Sequence, residues 1–262
     1  MAADSSTVVS AIHGKLAGTS IDFDRLDVSK IAPALLERAR ATWAERASTE
    51  HRSIEVMTRF LVELQGAGEP IEMYAGTLEL IEDEIRHTAL CRAMCRALGG
   101  SVPADRPTAE VAAGLQRAPM NERALATAIA MLAVNETMSV GYIRDLAARC
   151  ENPVVGAVLR ATVEDEDEHE AFGWTYIATA LDRFPKATHP EWRAFTRRVV
   201  QPHLDHAGRA LAAVAPEERE LARFPDSELI DLGLMSQERE ALVGLATFQR
   251  ELEPRLSKLG LW

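Results

Sequence analysis

The sequence predicts an all-α protein: a four-helix bundle with additional N- and C-terminal helices. Ala, Leu, Arg and Glu are abundant and aromatic residues make up only 5% of the chain, a bias that favours helix over strand. No useful length of sequence alternates between polar and apolar residues, as a half-buried strand would. Gly, Pro and Asn instead divide the chain into long pieces that carry apolar residues at helical spacing.

The composition narrows the class of protein before any motif is considered. The chain has 262 residues and can bury a sizeable core without disulfides. Its net charge of −11 disfavours binding to nucleic-acid phosphates. The three cysteines do not form a secreted disulfide framework. We find neither a signal peptide nor eighteen consecutive apolar residues, and so expect a cytoplasmic protein without a membrane span.

Helix start and stop signals define four long helices in the first two thirds of the chain. Pro33 is expected to begin a helix that ends near Leu64, and Pro70 one that ends near Leu98 before two glycines. The third is expected at 121–149 and the fourth from Asn152-Pro153 to about 184. Each would be about 45 Å long at 1.5 Å per residue, and a bundle is the natural way to bury them. Shorter helices are predicted at 5–16 and 108–116.

The stretch PKATHPEW at 185–192 is the clearest internal break. Beyond it, one helix is expected from Trp192 to Val214 with Pro202 inside it. Another is expected from about Ser236 to Leu252, stopping before Pro254. We interpret 1–262 as a single domain, in which 33–184 form the bundle core and 186–262 a C-terminal helical extension packed on it.

Two similar acidic motifs lie on the second and fourth helices. EDEIRH at 82–87 contains Glu84 and His87, and VEDEDEHEAF at 163–172 contains Glu166 and His169. Residues three apart share one face of a helix, and both pairs lie on rows that are otherwise apolar or small. Both motifs therefore place an acid and an imidazole on the side that faces the core.

The first and third helices each add one inward carboxylate. Glu50 is on the apolar stripe of helix one, whereas Glu45 and Glu55 lie on polar rows, and Glu136 is on the stripe of helix three. Glu84 follows Glu50 by 34 residues, and Glu166 follows Glu136 by 30. Each spacing fits a chain that runs to the end of one helix, turns, and returns along the next helix to the same level. Four buried carboxylates repel one another unless they are paired, protonated or bound to metal. Two divalent cations and two imidazoles would complete a dinuclear metal site.

Other residues near the motifs have more than one interpretation. Asp83 and Asp165 each precede a motif glutamate and are placed to accept a hydrogen bond from the histidine of the opposite motif. Glu170 could be an additional ligand, while Glu164, Asp167 and Glu168 fit a solvated surface. For His203 and His206 in QPHLDH, a structural or surface role is favoured over a second metal site.

Small residues beside the expected site could leave room for O2 or substrate. They are Cys91, Thr162 and Gly173, although bundle packing explains small residues equally well. Cys91 and Cys95 fit buried small hydrophobes, with a redox partnership with iron as the alternative.

These residues resemble the ferritin-like di-iron carboxylate superfamily over about residues 33–184. The resemblance implies that Glu50, Glu84, His87, Glu136, Glu166 and His169 bind two iron ions that react with O2; manganese could replace iron at one or both positions. The chain differs at single positions from particular families within this superfamily. Cys91 stands where ribonucleotide reductase small subunits have a radical tyrosine, and Thr162 where aryl-amine N-oxygenases have an extra histidine. It also lacks the rubredoxin-like cysteine pairs of rubrerythrins.

The leading functional hypothesis is a di-iron oxygenase or oxidase, such as a monooxygenase, that acts on a small organic substrate. No flavin or nicotinamide motif is visible, so an external electron donor such as a reductase or ferredoxin is expected. The alternatives are a ferroxidase or iron-handling protein without organic substrate, a tRNA-hydroxylase-like enzyme, and a purely structural helical protein. A substrate-sized cavity beside the metals, roofed by 186–262, would favour the first. Apolar stripes in the extension could also pack between two chains of a homodimer.

Overall fold

The computed structural model describes residues 21–102 and 115–262, and these residues form helices and no strand. The prediction of an all-α protein is confirmed for this part of the chain. The short helix predicted at 5–16, and most of the one predicted at 108–116, lie outside the described residues.

Four long helices are present close to their predicted positions. They are α1 Pro33–Ala67, α2 Ile71–Ala97, α3 Met120–Arg149 and α4 Pro153–Leu181. Helix α1 runs three residues further than expected and ends at Gly68, whose φ of 71° needs a residue without a side chain. Helix α4 ends three residues earlier than expected.

The helix starts follow the sequence signals. Pro33 is the first residue of α1, where its missing N–H costs no hydrogen bond. The Asn152 side chain accepts hydrogen bonds from the backbone N–H groups of Val154 and Val155, at 3.0 and 3.2 Å. This N-cap satisfies two of the four donors that the first turn of α4 would otherwise leave unpaired.

The four long helices pack on one another in two hairpins. Helix α1 packs along α2 and α3 along α4, while α1 also contacts α3 and α2 contacts α4. The connections at 68–70 and 150–152 are so short that the helices of each hairpin run antiparallel. The bundle therefore brings the middles of all four helices to the same level.

A polar layer separates the apolar core into two halves. One half includes Phe60 and Ile129, and the other includes Trp43 and Val155. Along each long helix, the acidic and histidine residues of interest lie between stretches that belong to the two halves. The bundle thus closes the polar layer at both ends with apolar side chains.

Helix α3 is interrupted by a π-helical segment, Ala128–Asn135, directly before Glu136. A Cβ added to Gly173 of α4 would lie 2.7 Å from the backbone carbon of Leu132 in this segment, and closer still to its oxygen. Only a glycine allows the two backbones to approach this closely. The contact fixes α4 against the wider π turn.

Helix α3 is also, among the described residues, the one helix that is long and apolar enough to cross a membrane. The sequence analysis did not anticipate this, because Asn135 and Glu136 interrupt its apolar run. In the structure, 67% of the apolar window is buried inside the protein. Such burial is typical of the core helix of a soluble protein.

The C-terminal extension is helical and packs on α3. Its helices are α5 His189–Ala212, α6 Asp226–Ile230, α7 Gln237–Thr247 and, after a π segment at Phe248–Leu252, α8 Glu253–Lys258. Helices α5 and α7 contact each other and α3, and α5 contacts the π segment of α3. Phe248, Leu252 and Leu256 belong to the same apolar cluster as Ile129. The extension therefore completes the core on one side of the bundle.

The prediction that the last helix stops before Pro254 is wrong. The chain stays helical through Pro254 because the π segment ends there and a new α-helical segment begins. Proline is tolerated in the first turn of such a segment, where its missing N–H is not needed. Helix α5 begins three residues earlier than predicted and, as predicted, contains Pro202.

The close approach at Gly173 predicts a loss of stability on substitution. Gly173→Ala should destabilise the protein by about 1–3 kcal/mol, because the added methyl group overpacks the contact with Leu132. Gly208→Ala is the matched control, since a Cβ at Gly208 meets no atom within 4 Å in the exposed middle of α5. That control should be neutral or stabilising by up to about 1 kcal/mol. Urea unfolding of both variants measures the difference, and equal stabilities would contradict the close contact.

Candidate metal centre

The structure brings the six sequence-predicted residues together in the polar layer of the bundle. Five of them form two groups, Glu50 with Glu84 and His87, and Glu84 with Glu136 and His169. Within each group, one ligand atom from every residue lies within 4.8 Å of the others. Glu84 belongs to both groups, so the two candidate cation positions are neighbours that share a carboxylate.

Glu166 lies between the two histidines. Its Oε1 is 3.3 Å from Nδ1 of His87, and its Oε2 is 3.2 Å from Nδ1 of His169. The two imidazole rings are 5.9 Å apart, centre to centre. One carboxylate oxygen of Glu166 therefore faces each half of the site, as a bridge between two ions would require.

The centre holds its acidic side chains away from water. Glu84, Glu136 and Glu166 are buried, both histidines are fully buried, and Glu50 is partly exposed. Burial, reinforced by the charges of Glu50 and Glu166, raises the pKa of Glu84 well above its usual range. Burial and Glu166 do the same for the pKa of Glu136. These carboxylates are costly to ionise in the absence of a cation.

The histidines supply positive charge when no metal does. Burial opposes protonation of His87, but its contacts with Asp165 and Glu166 outweigh this and raise its pKa to about 10. Glu166 likewise raises the pKa of His169 against the effect of burial. Glu166 is buried too, yet its contacts with both histidines lower its pKa. Protons on the imidazoles thus offset part of the negative charge that a pair of metal ions would neutralise.

Each histidine is oriented by an aspartate from the opposite motif. Nε2 of His87 is 2.9 Å from Oδ2 of Asp165, and Nε2 of His169 is 3.2 Å from Oδ2 of Asp83. Arg86 links the two aspartates by contacting both. With Nε2–H donated to a carboxylate, Nδ1 carries the lone pair, and this atom faces the glutamates. This is the tautomer that a metal ligand needs.

The unsatisfied atoms of the centre match a metal donor set. Nδ1 of both histidines and Oε2 of Glu84 and Glu166 are buried, and none of them makes a hydrogen bond of regular geometry to another described residue. Buried polar atoms without a partner are rare and costly in native proteins. Here they come from four residues and converge on one site. Carboxylate oxygen and imidazole nitrogen are ligands that iron accepts, so the residues fit a dinuclear iron site.

Other buried carboxylates are compensated by arginines. Glu63 accepts from Arg123 at 3.2 Å and from Thr127 at 2.7 Å. Glu69 accepts from Arg183 at 2.8 Å and from Tyr176 at 2.9 Å. The sequence analysis did not identify either, although each helix was examined for inward acids. They form structural ion pairs at the end of the bundle away from the metal centre.

Glu170 was considered as an additional ligand, but its carboxylate contacts a threonine and two arginines outside the centre. It accepts a hydrogen bond from Thr137 at 2.9 Å and is bound by Arg255, and Arg144 lies 3.5 Å from its other oxygen. The structure therefore places Glu170 in an ion-pair network that ties the extension to α3 and α4. Asp167, expected on the surface, is exposed and pairs with Arg144.

Two adjoining cavities reach the centre from one side. The inner cavity, of about 260 Å³, is lined by Glu50, Glu84, Glu136 and Glu166 together with polar and methionine side chains. The outer cavity, of about 370 Å³, adds residues of the extension at its wall. Both are lined by Thr49, Glu50, Ser139 and Tyr142. A small molecule could therefore approach the carboxylates along α1.

Cys91, Thr162 and Gly173, which were considered as residues that leave room for O2 or substrate, do not line these two cavities. Cys91 is buried in an apolar half of the core, and the Thr162 hydroxyl donates to the Val158 carbonyl at 3.2 Å. Gly173 packs on the π segment of α3. Their small size serves helix packing. Cys95 is also buried and free.

The residues that do line the inner cavity include several that sequence analysis missed. Met131 and Asn135 belong to the π segment, and His203 of α5 places its Nε2 3.2 Å from the Asn135 Oδ1. A π turn leaves no periodic signal in the sequence, so the first two could not be found. His203 was visible in QPHLDH; His206 of that motif is exposed near Glu240.

No family of proteins, curated protein or solved structure matched this chain when it was compared with them. The functional interpretation therefore depends on the geometry of the centre and its cavities.

The contacts between aspartates and histidines lead to a prediction about metal affinity that can be tested without a substrate. Asp165→Asn should weaken metal binding about 10- to 100-fold, because the carboxylate that fixes the His87 tautomer is lost. Asp167→Asn is the control. It removes the same charge from an exposed side chain that lies two residues after Asp165. Metal titration of both variants measures the difference. Equal affinities would mean that Asp165 does not orient a metal ligand.

Proposed function

We propose that the protein is a dinuclear non-haem iron oxidoreductase that uses O2 to oxidise or oxygenate a small organic substrate. The observation that carries this proposal is the convergence of unpartnered carboxylate and imidazole atoms on two neighbouring positions that share Glu84. The resemblance of the two Glu-x-x-His motifs to the ferritin-like di-iron superfamily supports the same assignment.

The chain offers a complete ligand set for two ions. One would be held by Glu50 and His87, the other by Glu136 and His169, with Glu84 and Glu166 placed between the two positions. A pair of Fe(II) ions supplies the electrons with which O2 is reduced. Manganese accepts the same carboxylate and imidazole ligands, so the donor set fits either metal.

The protein's own contribution is to orient the ligands and exclude water. Asp83 and Asp165 hold the imidazoles with Nδ1 toward the centre, and the apolar halves of the bundle seal it from both ends. Electrostatic interactions are stronger in such a dry site than in water. Glu50 is the ligand that borders both cavities and is partly exposed, so its carboxylate is the one with room to move.

The cavities favour an organic substrate over iron handling. Their volumes suit a small molecule, and the extension supplies Leu234, Met235 and Glu240 to the wall of the outer one. A ferroxidase without organic substrate has no need of such a space. The lining also mixes acidic and basic residues, which gives no basic groove for a tRNA. We propose that a separate reductase or ferredoxin delivers the electrons, in keeping with the absence of flavin or nicotinamide motifs in the sequence.

Metal content per chain is the first test of the proposal. After anaerobic loading with Fe(II), the native protein should retain two irons. Glu84→Gln should lose one or both, because Glu84 is shared by the two positions. Glu170→Gln is the matched control, a buried glutamate bound by arginine instead, and should keep two. Native protein without stoichiometric metal would refute the dinuclear centre.

Iron uptake in air separates the proposed oxidoreductase from an iron-handling protein. With excess Fe(II) and O2, we expect binding to stop at two irons per chain, because the centre offers two neighbouring cation positions. Iron analysis after gel filtration measures this number. Uptake that continues well beyond two would favour the ferroxidase alternative.

A further inference from the structure

One arginine in the outer cavity, Arg46, is partly buried and has no anionic partner among the described residues. Arg46 donates from Nη2 to the Gly233 carbonyl at 2.7 Å, and its guanidinium lies 4.7 Å from the centre of the Trp43 ring. Its Nη1 is buried and has no hydrogen-bond partner. Glu45, Glu50 and Glu240 act on it only at a distance, and burial lowers its pKa. A guanidinium taken out of water in this way is costly unless an anion joins it.

Unlike Arg46, the neighbouring arginines either pair with an acidic side chain or are exposed to water. Arg38, at the rim of the same cavity, pairs with Glu218 at 2.7 Å, and Arg239 makes two hydrogen bonds of 2.7 Å to Asp145. Arg52 lines the inner cavity but is exposed, so water can solvate it. Among these cavity-side arginines, Arg46 alone is desolvated and uncompensated by the described residues.

Arg46 is also placed one helical turn from the metal centre. Arg46, Thr49, Glu50 and Ser53 follow one another along one face of α1 at helical spacing. Residues four apart on a helix are separated by about 6 Å. A ligand whose anionic end meets Arg46 would therefore extend over Thr49 and bring its next few atoms to Glu50.

The acids of the outer cavity do not provide an equivalent site for a cation. Glu45 is exposed, and 44% of the Glu240 side chain is accessible to water. Solvated carboxylates need no partner, whereas the buried guanidinium does. The rest of the wall combines hydroxyls of Thr49, Ser139 and Tyr142 with apolar Ile143, Leu146 and Leu234. The lining thus suits an apolar body that carries one anionic group.

We propose that Arg46 binds the carboxylate of the substrate, so that the enzyme acts on small carboxylic acids with an apolar body. This inference rests on the proposed function for the reaction, but the carboxylate site itself can be tested by binding alone. The carboxylate accepts hydrogen bonds from the Arg46 guanidinium in the outer cavity. The apolar chain then lies along α1, and its far end reaches the inner cavity beside Glu50 and Glu136.

The test is calorimetric titration of the full chain, loaded anaerobically with Fe(II), with hexanoate, hexanamide and hexylamine. Hexanoate should bind, and the neutral and cationic analogues should bind at least about tenfold more weakly, the difference expected for a lost charge-assisted hydrogen bond. Arg46→Met should weaken hexanoate by a similar factor. Arg46→Lys, which keeps the charge, should restore part of the affinity.

Arg38→Met is the matched control, since it removes an arginine of the same cavity that already has a partner. It should change hexanoate affinity by less than about twofold. Equal hexanoate affinity in native protein and Arg46→Met, or preferential binding of hexylamine, would overturn the inference.

Iron content and the unfolding midpoint are measured on the same samples. Two irons without hexanoate binding would overturn the carboxylate site and leave the proposed function standing. Hexanoate binding that depends on Arg46 in a chain without iron would support the site and count against the dinuclear centre.

Discussion

The convergence of four glutamates at one level of a helical bundle, three of them buried and one partly exposed, is the constraint on which the rest of this structure depends. Their charges cannot be left uncompensated in a space sealed by two apolar halves, and the buried atoms that lack partners are the ones that would bind cations. Glu63, Glu69 and Glu170 show the alternative solution, in which arginines neutralise a buried acid. The helix lengths, the short hairpin connections and the glycine contact at the π segment all serve to hold the central carboxylates in register.

The positions of the long helices and the six residues of the centre could be predicted from sequence because both depend on local, periodic signals. Proline, glycine and asparagine mark helix ends, and an acid on an apolar stripe marks an inward position, as for Glu84 and Glu166. The pairing of each aspartate with the opposite histidine follows from the same spacing. Glu63 escaped notice because its partner Arg123 lies on another helix, and no local pattern reveals that contact.

The cavity could not be predicted, because its walls depend on features that have no periodic signature. The π segment of α3 changes the register of the helix and turns Met131 and Asn135 toward the centre. Part of the outer wall comes from the extension, as with Leu234. Its neighbour Gly233 lies 187 positions after Arg46 in the chain and accepts a hydrogen bond from it. Small residues near the motif therefore do not mark these two cavities: Cys91, Thr162 and Gly173 pack against other helices or their own helix turn.

The division of labour between the bundle and its extension has a consequence for how such a protein can diverge. Helices α1 to α4 carry every residue of the candidate metal centre, whereas Leu234, Met235 and Glu240 of the extension form part of the wall that a ligand would meet first. Substitutions in the extension can reshape that wall without moving a single metal-binding atom. Under the proposed function, part of the selectivity is thus encoded outside the stretch that carries the metal centre, and a lineage could acquire new ligands while that centre stayed unchanged.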